Sequence, residues 1–249
     1  LRILLHRPHS GSGSIGVSIM PPPPLHAARL FAGQTAAEAV ERAALVFNIC
    51  GAAQAAATGA ALGVAPPRDA GRRMLTETLR DHAVKLAVLW PEALGMTPDA
   101  TALGAVSALA EDRGAALRRA LLGADGLPTD LAGFETWLDA ADTAPARVLA
   151  RLWRRWEPRW GAVTLPLWPG LSTSGLDLAQ AAWHGAPFET GLPAIHAAHP
   201  LLRAISARQG RSLVWRLAAR LVDVAAALDA LAGDAPLPAA RALGPGVGV

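Results

Sequence analysis

Apolar positions in this chain recur mostly at helical spacing, in blocks punctuated by proline and glycine. The start is different. Ile3-Leu4-Leu5 and Ile15-Gly16-Val17-Ser18-Ile19 flank a Ser/Gly turn at 10–14, which predicts a hairpin or a pair of edge strands. Pro21 to Pro24 then forbids helix and reads as a rigid connector. Thr35 and Glu38 form a capping box that opens a long helix carrying Cys50 in its interior. Gly51, Ala55, Gly59 and Gly63 recur every fourth residue there, a smooth seam for another backbone, and Pro66-Pro67 ends the segment.

The next helix spans about 70–90, with Leu75, Leu79, His82, Leu86 and Leu89 in one stripe, so His82 sits among apolar neighbours. Thr97, Pro98 and Asp99 start a third helix that runs to Leu122 and stops at Gly123. A short helix follows at 130–140. From Pro145 to Glu157, Leu149, Leu152, Trp153 and Trp156 share one face, and Arg147, Arg151, Arg154 and Arg155 the other. Residues 161–169 read as extended, 176–183 as a small helix and 184–191 as a loop. Helices at 200–209 and 212–231, split at Gly210, close the chain. The expected fold is mainly α: one helical bundle domain over 1–249 with a short N-terminal β hairpin. Residues 1–24 would be hairpin and connector, 25–235 the helical core, and 236–249 a Pro/Gly-rich end.

Composition sharpens this reading. Apolar residues are 52% and charged ones 17% of 249, enough for a sizeable core rich in alanine and leucine, the best helix formers. Net charge is only +3 although the pI is about 10.3. Lys85 is the single lysine and tyrosine is absent, so the pI reports arginine and is no nucleic-acid signature. The uncharged window Ala43 to Pro67 is long enough to span a bilayer. It is dominated by Ala and Gly and contains Asn48, Gln54 and Thr58, so a buried helix is expected and not a membrane span. No signal peptide is legible, and a cytoplasmic protein is expected. Leu1 and Val249 read as cut ends of a longer chain.

Candidate chemistry centres on Cys50, the only cysteine. A lone thiol builds no disulfide and holds no zinc by itself; it is a core residue, a nucleophile, or one ligand of a site completed elsewhere. His82 reads as a hydrogen-bonded core histidine or a ligand, and Asp81 beside it points away on a helix. His184, Glu189, His196 and His199 gather in one segment, at a spacing that fits no metal motif. The arginine face at 147–155 suits a phosphate or an acidic partner, or is an ordinary solvated face. A phosphate-binding loop, a GxSxG elbow, an HExxH motif and a CxxC pair are all lacking.

Four segments in order, over about residues 28–235, resemble the nickel–iron hydrogenase large subunit, and more closely its degenerate relatives, the HupK/HoxV-type hydrogenase maturation proteins. Leu45-Val46-Phe47-Asn48-Ile49-Cys50-Gly51-Ala52-Ala53-Gln54 looks like the family's "ICGxC" motif in its "CGxAQ" form. Arg80-Asp81-His82 is similar to the "DH" helix that follows it. Glu189-Thr190-Gly191 with His199-Pro200 resembles the "EVGPLAR…HP" stretch, and Arg216 to Arg220 the "GRxxAR" helix. The departures matter. Ala53 stands where the second cysteine of the pair would be, Ala57 where a histidine usually follows, and no C-terminal CxxC is present.

The resemblance therefore implies no enzyme and no nickel. It implies an assembly scaffold or chaperone that transiently receives the Fe(CN)2CO fragment and passes it to the large subunit. Cys50 would be the iron ligand, with His82, Glu189 and Arg220 as pocket residues or supports around it. The partners implied are a maturation complex of the HypC/HypD type and the immature large subunit. Two other readings stay open: an interaction module in which Cys50 is an inert core thiol, and a thiol enzyme pairing Cys50 with His82 or His184.

Overall fold

A computed structural model describes residues 2–6, 15–20, 28–168, 176–177, 182–244 and 247–248. The chain divides into two compact units, residues 1–35 and 36–249. In the first, β1 (Arg2–His6) pairs antiparallel with β2 (Gly16–Met20), matching Ile3 with Ile19 and Leu5 with Val17. A short helix α1 (Ala28–Phe31) follows. The hairpin is as expected; its turn at 10–14 and the connector Pro21 to Pro24 lie outside the described residues.

The second unit is helical. Its elements are α2 (Ala36–Val46), α3 (Gly51–Leu62), α4 (Ala70–Val84), α5 (Trp90–Ala93), α6 (Thr101–Ser107), α7 (Leu109–Asp112) and α8 (Ala115–Leu122). After them come α9 (Leu131–Ala140), α10 (Ala144–Arg155), α11 (Leu192–Ile195), α12 (Pro200–Gln209) and α13 (Leu213–Ala232). Two-residue strands β3 (Leu176–Asp177) and β4 (Ala182–Trp183) pair antiparallel, as do β5 (Ala242–Gly244) and β6 (Val247–Gly248). The helix expected at 176–183 is thus replaced at its ends by strands. Among the described residues no helix is long and apolar enough to cross a membrane.

Helix α13 is the axis of the core. Ala218, Leu221, Val222 and Val224 are fully or almost fully buried against Leu79 and Ala83 of α4, Leu117 and Leu121 of α8, Leu149 of α10, and Leu201 and Ile205 of α12. The entry to α13 is set by Ser212, whose hydroxyl accepts from the Trp215 backbone N–H, while the Trp215 indole donates to the Leu202 carbonyl at 3.0 Å. Thr143 and Asp130 cap α10 and α9 in the same manner.

Three further expectations needed correction. The single helix over 97–122 is instead three short helices. Its last break falls at Arg113 and Gly114, both in the left-handed region; a Cβ on Gly114 would stand 2.5 Å from Leu228 Cδ2, so close approach of α13 selects the glycine. The stripe on α4 loses its last member because Lys85–Leu89 is a π turn. The extra residue rotates the phase, leaving Leu86 buried and Leu89 48% exposed. The long helix through Cys50 breaks at 47–50. Val46, Phe47, Asn48 and Ile49 are all poorer helix formers than the alanines around them. The reversal lays α3 back on α2, and a Cβ on Gly51 would stand 2.5 Å from the Ala44 carbonyl oxygen.

Candidate functional site

Cys50 precedes the first residue of α3 and is exposed, not packed in a helix interior. The break that corrects the helix boundary also frees the thiol: the uncharged run folds as two short helices, and Cys50 sits at their junction. It opens on a cleft of about 280 Å3 bounded by Ile49, Cys50 and Ala53 on one side. Met74, Glu77, Thr78, Asp81 and Lys85 form the other. Glu77 ties the two walls together, because both its carboxylate oxygens accept from the Ala52 backbone N–H, at 3.0 and 2.9 Å. A carboxylate placed at the first turn of α3 is where the helix dipole favours negative charge. The Gln54 amide approaches Cys50 Sγ at 4.0 Å.

Behind the Asp81 wall lies a continuous chain of polar side chains. Lys85 Nζ donates to Asp81 Oδ2 at 2.6 Å, and Arg220 Nη1 lies 3.5 Å from the same oxygen. Arg220 Nη1 also donates to His82 Nδ1 at 2.6 Å. A guanidinium only donates, so His82 Nδ1 must be the acceptor and Nε2 must carry the proton. That proton is given to Asp223 Oδ2 at 2.7 Å. The other oxygen of Asp223 accepts from His196 Nε2, also at 2.7 Å.

The charge state of Asp223 follows from this arrangement. Burial alone would raise its pKa, but the hydrogen bonds from His196 and His82 outweigh burial and bring it down to about 2. Asp223 is therefore a fixed anion holding two imidazoles. His199, three residues beyond His196, has its pKa lowered by burial and then by the charge of His196; its Nδ1 is buried with no hydrogen-bond partner among the described residues.

The four residues singled out from the sequence are placed differently. Cys50 lines the cleft and Arg220 reaches its Asp81 wall. His82 is buried one step further back, with both ring nitrogens engaged. Glu189 is in another ion pair, accepting from Arg216 Nε and Nη2 at 2.7 and 3.0 Å. That fork holds the 184–191 loop against α13, and the Glu189 backbone pairs with Pro166 and Trp168. His184 is exposed with φ 50°. Among the described residues no three or more His, Cys, Asp or Glu side chains are arranged to hold a metal ion.

Asp223, Glu77 and Lys85 were missed in the sequence. A signal for Asp223 existed: it is an acidic residue three positions after Arg220 on a helix that is otherwise apolar over that turn. Asp81 was read as pointing away from His82, and the two do not bond directly; Arg220 joins them.

Fold and site together define a mainly helical protein whose one thiol opens on a polar cleft, backed by a partly buried guanidinium–imidazole–carboxylate chain. No protein-family model matches it. It is 35% identical over 228 residues to the hydrogenase expression/formation protein HupK of Rhodobacter capsulatus, a match covering 90% of this chain and 68% of that protein. The chain belongs to the HupK family of hydrogenase expression/formation proteins.

Proposed function

We propose that this protein is an assembly scaffold in nickel–iron hydrogenase maturation, which holds the Fe(CN)2CO fragment as cargo at Cys50 and passes it to the large subunit. The observation that carries the reading is the exposed thiol at the mouth of a polar cleft. A cleft of about 280 Å3 has room for an iron with three diatomic ligands. A soft thiolate suits low-spin iron. Thr78 and Lys85 line the same space and supply donors for cyanide nitrogens. With one thiol in the chain, Ala53 and Ala57 leave the cargo attached at a single thiolate, which favours release over retention.

In this reading the protein is not an enzyme, takes no nickel, and has as partners a HypC/HypD-type complex and the immature large subunit. His82 and Arg220 position the Asp81–Lys85 wall and do not ligate, since His82 has no nitrogen to spare. Glu189 holds the 184–191 loop.

A second reading has one observation in its favour: no cluster of three metal-ligating side chains exists among the described residues. The family shell would then be a docking module with no cargo. Purification of wild type and Cys50→Ala from a hydrogenase-producing host separates the two. Iron and cyanide/carbonyl infrared bands in wild type, lost in Cys50→Ala, are the expected result. Equal bands in both would remove Cys50 from the role. Absence of bands in both, with the large subunit still co-purifying, would leave the docking module.

A further inference from the structure

Away from the Cys50 cleft, α10 carries a row of guanidinium groups that carboxylates among the described residues balance only in part. Arg147, Arg151, Arg154 and Arg155 line one groove of about 380 Å3. Two are answered by carboxylates: Arg147 lies 3.6 Å from Asp99, and Arg154 pairs with Asp139. Arg151 gives Nη1 to the Leu94 carbonyl at 2.7 Å, a neutral acceptor. Among the described residues neither Arg151 nor Arg155 has a carboxylate within ion-pair distance. Like charges four residues apart on a helix repel, so the pair lowers the helix's own stability unless something anionic lies across it.

Geometry decides what kind of anion fits. Arg147, Arg151 and Arg155 follow one another at four-residue intervals, about 6 Å of rise each, so they form a line of roughly 12 Å and do not converge on a point. The groove floor is already acceptor-rich, because Arg147 bonds the Ala141 and Asp142 carbonyls and Arg151 that of Leu94. A compact phosphate needs donors converging on one centre, which a line does not supply. Same-face side chains of an extended peptide repeat at about 6.6 Å, close to the arginine spacing. Nucleic acid fits less well: Asp99 and Asp139 flank the groove, and Trp153 is already packed edge-on against Phe134 at 5.7 Å and under the Arg208 guanidinium at 5.0 Å. No open ring from that helix is left to stack a base.

We propose that this groove docks an extended acidic segment of a partner polypeptide, with carboxylates two residues apart seated on Arg151 and Arg155. The test is fluorescence anisotropy of the full chain with a labelled peptide of alternating glutamate and serine, at low and physiological salt. Arg155 is exposed, so Arg155→Glu keeps the fold, which circular dichroism verifies. The single variant should weaken binding about tenfold and the Arg151→Glu/Arg155→Glu double variant further, with a steep salt dependence in wild type. The double variant should in turn bind a lysine–serine peptide. Equal affinity of wild type and Arg155→Glu for the acidic peptide overturns the proposal. So does displacement of that peptide by inorganic phosphate or a thymidine oligonucleotide at lower concentration than by unlabelled peptide. Cys50→Ala should bind the peptide as wild type does, so this surface and the thiol cleft fail or stand separately.

Discussion

The two walls of the cleft are built on opposite principles. The α2–α3 arm buries only alanine and glycine, Ala39, Ala43, Gly51, Ala56 and Gly59, and none of these belongs to the main core. It leaves Leu45 and Ile49 79% and 69% exposed beside Cys50. The α4–α13 wall buries Leu79, Leu86, Leu221 and Val222 and answers its internal polar groups with partners. Burying a leucine stabilises by about 1.5–3 kcal/mol, and an alanine by far less. The thiol therefore sits on the lightly held side of the cleft, and the charged residues on the rigid side. Elements that must open to receive or give up a ligand are drawn from the low-stability end of a structure, which is where Cys50 is.

The contrast is broken most severely at Asp223. Asp223→Ala removes one carboxylate and leaves two imidazole N–H groups facing a cavity, so unfolding in urea should show a loss of about 3 kcal/mol at unchanged m. A loss below about 0.5 kcal/mol, the range of an ordinary surface change, would mean that the wall does not depend on this chain. On the arm side, Gly51→Ala drives a Cβ to 2.5 Å from the Ala44 carbonyl oxygen. Backbone is on both sides of that contact and cannot swing away, so about 1–3 kcal/mol is expected. Hydrogen exchange should show the loosening confined to α2 and α3; loosening spread through α13 would contradict their independence.

Proton linkage gives a finer test. Asp223 titrates near 3.8 when unfolded and near 2 when folded, so its contribution is complete above about pH 4 and fades as pH falls towards 2. The stability gap between wild type and Asp223→Asn should therefore shrink by about 2 kcal/mol between pH 5 and pH 2. A gap constant with pH would show that Asp223 is not held as an anion. His199 acts in the same direction at higher pH, since its neutral form is favoured in the fold, and it cancels in this comparison.

The smallest expected effect is at Cys50. Because the side chain is exposed, Cys50→Ser should change stability by no more than about 0.5 kcal/mol. Iodoacetamide should alkylate the thiol of the native protein without denaturant. Reaction only after unfolding would put the thiol back in a helix interior and remove the cleft's one thiolate.

Much of the scaffold was legible in the chain. The boundaries of α12 and α13, the stop at Gly210 and the existence of the hairpin follow from punctuation and alternation, which act over a few residues. His82 in an apolar stripe was legible as a buried histidine, but its partner was not, because Asp223 lies 141 residues further on. Cys50 was misplaced for a related reason. The weak helix formers at 46–49 permit a break, but the uncharged run around them also reads as one helix, and the packing of Gly51 on Ala44 completes the reversal. The gathering of His184, Glu189, His196 and His199 in sequence did not survive in space, since Glu189 turns to Arg216 and His196 to Asp223.

Sequence by itself determined that the protein is mainly helical, that one thiol is all any site here can use, and that the chain is akin to HupK. Those properties are local or additive, and they are written residue by residue. Tertiary structure decided that the thiol faces solvent, that Arg220 reads both Asp81 and His82, and which arginines of α10 have no counter-charge among the described residues. Each of these depends on contacts between residues far apart in the chain, and short-range periodicity carries no information about which distant side chain arrives.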